Sequence, residues 1–177
     1  VRQACIRSLE QGYTSYTANA GLLELRQEIA KYLKKQFAVS YDPNDEIIVT
    51  VGASQALDVA MRAIINPDDE VLIIEPSFVS YAPLVTLAGG VPVPVATTLE
   101  NEFKVQPEQI EAAITAKTKA ILLCSPNNPT GAMLNKSELE EIAVIVEKYN
   151  LIVLSDEIYA ELVYDEAYTS FASIKNM

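Results

Sequence analysis

The chain alternates two hydrophobic periods, and this alternation restricts it to folds in which helices cover a buried, mostly parallel sheet. Leu22, Leu25, Ile29 and Leu33 recur at helical spacing along a charged segment ending near Phe37, and the β-branched run Ile47 to Val51 follows as a strand. Leu57, Met61 and Ile64 form the next helical stripe, which Asn66 and Pro67 stop before a strand from Glu70 to Ile74. A helix from Tyr81 to Ala88 closes on Gly89 and Gly90. Val91 to Val95 alternates with prolines, which confines it to a sheet edge or an extended segment. Pro107 to Ile114 reads as a short helix and Ala120 to Cys124 as a fully buried strand. Asn135 with Glu138 opens a helix in the manner of a capping box, and Leu139, Ile142, Ala143 and Val146 carry it to Tyr149. Leu151 to Leu154 is the last strand. With no repeat, low-complexity stretch or long linker, the chemistry is expected at strand ends within one unit.

Composition narrows the function classes. At 177 residues and 50% hydrophobic, the chain is one domain's worth with one substantial core. Its net charge of -11 leaves no broad basic face for a phosphate backbone, which argues against nucleic-acid binding. The absence of histidine excludes imidazole metal sites and histidine triads. Cys5 and Cys124 form no CxxC pair, and Cys124, ending the apolar run Ala120 to Leu123, reads as a small buried hydrophobe. No apolar run reaches membrane-spanning length and the first residues carry no signal-peptide pattern, so a soluble cytoplasmic protein is expected. The chain opens on Val1 and ends at Met177 without a closing element, which reads as a piece of something longer.

Three segments fall just after strands, where open α/β sheets place their ligands. Val51-Gly52-Ala53-Ser54-Gln55-Ala56-Leu57 runs from a strand through small residues into a helix. Small residues let backbone N–H groups approach a phosphate at the positive end of the helix, although Ser54 also suits an ordinary N-cap. Ser125-Pro126-Asn127-Asn128-Pro129-Thr130-Gly131 presents two amides from a constrained turn. Such residues also serve turn geometry alone, but an Asn amide both donates and accepts and so suits a phenolic oxygen or a carboxylate. Ser155-Asp156-Glu157-Ile158-Tyr159 follows the last strand. A carboxylate there can pair with a protonated ring nitrogen, a charge-assisted bond of roughly 1.5–3 kcal/mol, and Tyr159 three residues on reaches the same ring if a helical turn begins here. The plainer alternative is an Asp capping a turn with a Tyr packed beside it.

In this order, and above all through SPNNPTGA and SDEIY, the three segments resemble the fold-type I, class I and II aminotransferases, from about Tyr13 to the end. The resemblance implies a three-layer α/β/α sandwich with a mainly parallel sheet, the incomplete large domain of such an enzyme. Residues 1–12 are then a lead-in, and residues 13–177 a partial pyridoxal-phosphate-binding domain. It further implies that Ala53 and Ser54 bind the cofactor phosphate and that Phe78 stacks on the pyridine. Asn128 and Tyr159 hydrogen-bond the phenolic oxygen, and Asp156 holds the ring nitrogen protonated. Tyr16, in Tyr16-Thr17-Ala18-Asn19-Ala20-Gly21, matches a tyrosine that reaches the phosphate of the neighbouring subunit. On the residues alone, Phe78 reads as a core residue, and Tyr16 equally as a surface or interface aromatic.

The implied function is transfer of an amino group between an α-amino acid and a 2-oxo acid by a homodimer, with pyridoxal phosphate as electron sink. One departure stands out: the family's Schiff-base lysine and the arginine for the substrate carboxylate are expected beyond Met177. Lys175 lacks the lysine motif and reads as a solvated surface residue. A fragment of this kind is expected to bind the cofactor weakly and not to transaminate. A β-lyase of the same fold and the aminotransferase-like effector domain of a transcription regulator are the alternatives. Aromatic, aspartate-like and branched donors all stay open.

Overall fold

The two longest apolar runs after residue 66, in Glu70–Glu75 and Thr118–Cys124, form strands buried on both faces, with helices as the connections to their neighbours. The computed structural model describes residues 1–164 and 167–177. In chain order the regular elements are α1 (Arg2–Glu10), α2 (Leu23–Phe37), α3 (Gly52–Ile64), β1 (Glu70–Glu75), α4 (Tyr81–Leu87), β2 (Val91–Ala96), α5 (Pro107–Ala113), β3 (Thr118–Cys124), α6 (Lys136–Tyr149) and β4 (Ile152–Asp156). The chain divides into two units, residues 1–36 with 40–50, and residues 37–39 with 51–177.

In the second unit the four strands pair in the order β2-β1-β3-β4, all parallel. Parallel neighbours require crossovers, which α4, α5 and α6 supply. Side chains alternate across a strand with a period of two, so each central strand feeds two cores. Leu72 and Ile74 of β1 join Ile121 and Leu123 of β3 in a cluster with Ile110 of α5 and Ile142 of α6. Val71 and Ile73 join Ala120 and Leu122 in a second cluster with Leu57 and Met61 of α3 and Tyr81 and Val85 of α4. This is the expected three-layer α/β/α arrangement, and burial on both faces explains why β1 and β3 read as unbroken apolar runs.

The prolines act where a sheet tolerates them. Pro92 and Pro94 lie on β2, paired in register with Val71 and Ile73, and β2 is an edge strand as their presence requires. At its start Gly90 is pressed into the corner before β1: a Cβ there would lie 2.8 Å from Ile65 Cγ2 and 3.0 Å from the Asp69 carbonyl oxygen. The capping box forms as read, with the Asn135 side chain accepting from Glu138 N at 3.0 Å and Glu138 Oε2 accepting from Asn135 N at 2.6 Å. Asn135→Ala is therefore expected to lower stability by about 1 kcal/mol, read as a shift of the denaturant midpoint with an unchanged slope.

The segment before α3 departs from expectation. Ile47 to Val51 is not a strand: Val49 N donates to Ala20 O at 3.0 Å, but the segment joins no ladder among the described residues. A β-branched run supplies the propensity, whereas a strand also needs a neighbour. Arg2–Glu10 is a helix with no buried residue.

Candidate cofactor site

Because the strands are parallel, their carboxyl ends share one edge of the sheet, and the register Cys124↔Asp156 sets the loop after β3 beside the turn after β4. A cavity of about 170 Å³ opens at this edge. Ala53, Ser54, Phe78, Asn128, Asp156 and Tyr159 all line it, six of the seven residues singled out from the sequence. Tyr16, the seventh, belongs to the first unit and is fully exposed.

Each wall follows from local sequence. At the first, Val51 occupies the N-cap of α3 and provides no capping side chain, while Gly52 opens the helix at φ +80°, a left-handed value that favours glycine. Ser54 is therefore a first-turn residue and not the cap considered above. Gln55 Oε1 accepts from Val51 N at 2.6 Å and holds the turn closed. The helix thus has no side-chain cap from Val51, and its first turn, at the positive end of the dipole, lines the cavity.

At the second wall the two asparagines divide their work. Asn127 holds the loop: its Oδ1 accepts from Thr130 Oγ1 at 3.0 Å, its N–H donates to Ala132 O at 2.8 Å, and its carbonyl accepts from Gly131 N at 2.8 Å. Ser125 Oγ accepts from Leu134 N at 3.0 Å and ties the far side down. Asn128, held by this frame, is the amide that faces the cavity.

The third wall joins the two readings of Asp156. Its Oδ1 accepts from Ile158 N at 3.2 Å, the turn-capping role, while Oδ2 accepts from the Tyr81 hydroxyl at 2.6 Å. Residues 158–160 form a turn and not a helix, yet Asp156 and Tyr159 still face one cavity. Glu157, pointing elsewhere, anchors the chain that follows: its Oε1 accepts from Ser155 Oγ and Ser170 Oγ at 2.9 Å and from Phe171 N at 3.0 Å. These bonds seat Phe171 and Ile174 in the core and brace the end of β4.

Tyr81 is the site residue that sequence reasoning missed. It reads there only as the first residue of a helix, although its i+3 spacing from Phe78 was a usable sign that the two share a side. Its ring is 2% exposed and meets Phe78 edge to face, with centroids 5.7 Å apart. Burial, then the Asp156 contact, pushes the Tyr81 phenol well above its ordinary value. Burial and the neighbouring Glu157 do the same for Tyr168. Cys124, half-buried beside this cluster, donates to Pro126 O at 3.3 Å, and burial raises its thiol, in keeping with an inert thiol.

These phenols define a pH window. A group whose ionisation is raised by folding contributes stability that is fully present below its unfolded value, about 10 for tyrosine, and lost as pH climbs from there towards the raised folded value. Stability is therefore expected to hold up to about pH 10 and to fall above it, and Tyr81→Phe with Tyr168→Phe should flatten that alkaline limb in denaturant titrations. Flat stability through pH 11 in the unsubstituted chain would contradict the assignment.

Comparison with known proteins bears on the family and the fold. The family described as Aminotransferase class I and II matches residues 1–176. A putative aminotransferase, YugH, of Bacillus subtilis is 62% identical over 177 residues, covering 100% of this chain and 46% of that protein. An aspartate aminotransferase of Pyrococcus abyssi is 47% identical, again over 100% of this chain and 46% of its own length. Among solved structures, an aromatic aminotransferase from Pyrococcus horikoshii superposes with a TM-score of 0.98 at 46% identity, covering 99% of this chain and 48% of that one. The chain thus spans about half the length of the relatives it matches. No helix among the described residues is long and apolar enough to cross a membrane. With a parallel α/β sheet, a cavity at its carboxyl edge and a family match along nearly its whole length, the chain belongs to the class I and II aminotransferases, which work with pyridoxal phosphate.

Proposed function

We propose that this chain is the cofactor-binding part of an aminotransferase that moves an amino group between an α-amino acid and a 2-oxo acid. The observation that supports the reading is the meeting of the first turn of a helix, an aromatic ring, an amide, a carboxylate and a phenol in one cavity. These donors fit pyridoxal phosphate group by group. The first-turn N–H groups of Ala53 and Ser54, with the Ser54 hydroxyl, suit a phosphate dianion. Phe78 offers a ring to the pyridine. Asn128 and Tyr159 donate to the phenolic oxygen, and Asp156 keeps a proton on the ring nitrogen through a charge-assisted bond. When bound, the cofactor supplies an electron sink for the substrate's α-carbon. The chain's own residues orient it and set the charge at its ring nitrogen.

No lysine or arginine lines this cavity among the described residues. The lysine that holds the cofactor covalently and the arginine for the substrate carboxylate are therefore assigned to the remainder of the whole protein, with Tyr16 reaching the phosphate of a second subunit in a cytoplasmic homodimer. The 177-residue chain alone then binds pyridoxal phosphate weakly and does not transaminate. Assay of the chain and of the whole protein, with pyridoxal phosphate, 2-oxoglutarate and aspartate, an aromatic or a branched amino acid, tests this. Turnover by the whole protein only, dependent on added cofactor, is expected. Turnover by the 177-residue chain would overturn the division of labour, and no turnover of any pair by the cofactor-loaded whole protein would overturn the activity.

A further inference from the structure

Tyr81 and Asp156 both line the cavity, and the bond from the Tyr81 hydroxyl to Asp156 serves neither the sheet nor a helix cap. At 2.6 Å it is a short O–H···O⁻ contact, of the charge-assisted kind. Tyr81 also packs against Phe78 in a T-shaped contact, so the first turn of α4 and the residues just before it present both a stacking ring and a donor to the carboxylate. We infer that Tyr81 is a positioning residue for the transamination reaction: its neutral hydroxyl aims the Asp156 carboxylate at the cofactor's ring nitrogen and couples that aim to the Phe78 ring. The inference rests on the cofactor reading above.

The chemistry depends on the donor being uncharged. A lysine or arginine bonded to Asp156 would neutralise the charge that the ring nitrogen has to meet. A phenol fixes Oδ2, and Ile158 N fixes Oδ1, while the carboxylate keeps its negative charge. The titratable groups facing the hydroxyl are Asp156 from β4 and Cys124 from β3. From α3 and β1 the packed neighbours are Leu57, Met61, Val71 and Ile73, all apolar. Burial keeps the phenol protonated through the neutral range, so the donor persists wherever the enzyme works. Removing it leaves Asp156 Oδ2 without its donor, so that the carboxylate is held towards the ring nitrogen by the Ile158 N contact alone.

The test compares unsubstituted, Tyr81→Phe and Asp156→Asn forms of the pyridoxal-phosphate-loaded whole protein. The readouts are pH titration of the cofactor's absorbance and the split of kcat from KM. Tyr81→Phe is expected to lower kcat by about 10-fold, the low end for a hydrogen bond to a charged group, with KM nearly unchanged, and to shift the spectral titration in the same direction as Asp156→Asn by a smaller amount. A Tyr81→Phe titration curve superimposable on the unsubstituted one, while Asp156→Asn moves it, overturns the role of Tyr81 and leaves the cofactor reading standing. If Asp156→Asn moves nothing, the cofactor reading falls and this inference with it. Should Tyr81→Phe not fold, 3-fluorotyrosine at position 81 keeps the hydroxyl. Its ¹⁹F resonance must shift when pyridoxal phosphate is added to the apoenzyme, and an unmoved resonance overturns the proposal.

Discussion

Asp156→Ala in the whole protein is expected to lower transamination by about 10- to 100-fold, because a charge-assisted bond of about 1.5–3 kcal/mol disappears from the ring nitrogen. The fold loses a comparable amount. Asp156 accepts from Ile158 N and from the Tyr81 hydroxyl, so the substitution leaves one buried phenol without its acceptor, a cost of about 1–3 kcal/mol. Thermal unfolding and steady-state kinetics on the same preparation separate the two effects. Pyridoxal phosphate in excess should not restore the rate, since the loss lies in the electronics of the ring and not in occupancy alone. An unchanged rate would reduce Asp156 to its turn-capping contact with Ile158.

Ile121→Ala carries the largest expected cost to stability, about 2–5 kcal/mol, for a reason unrelated to the site. Ile121 sits at the middle of β3, fully buried, paired in register with Leu72 on one side and Val153 on the other, and packed beneath α5 and α6. Neighbours on a sheet flanked by strands cannot collapse into the space left behind, so the cavity persists. The same substitution at Ile152, on β4 and 37% exposed, removes a side chain already partly in water and should cost much less. Denaturant unfolding of the pair tests the point: equal losses would mean that β3 is not the centre of the sheet.

Which parts of this molecule were readable from its residues follows from the range of the interactions that make them. Helices α2, α3 and α6 and strands β1 and β3 announce themselves because their apolar periods lie within a single short window, and Asn135 and Glu138 settle a helix start by contacts three residues apart. The edge position of β2 was legible for a related reason, since Pro92 and Pro94 forbid a central place. Ile47 to Val51 failed because pairing is a non-local property that propensity cannot supply. At the site, Asp156 and Asn128 stood out through their motifs. Tyr81 did not, because its importance lies in a contact with a residue 75 positions away. Asn127 and Asn128 look alike in the sequence, and only the direction of the chain between the two prolines gives one to the loop and the other to the cavity.

The central claim is that the carboxyl edge of this sheet cradles pyridoxal phosphate, and a crystal structure of the whole protein grown with the cofactor measures it directly. The account predicts the phosphate at the first turn of α3, against Ala53 and Ser54, and the ring nitrogen within about 2.7–2.9 Å of an Asp156 carboxylate oxygen. A phosphate bound away from α3, or a ring nitrogen with no contact to Asp156, would contradict it.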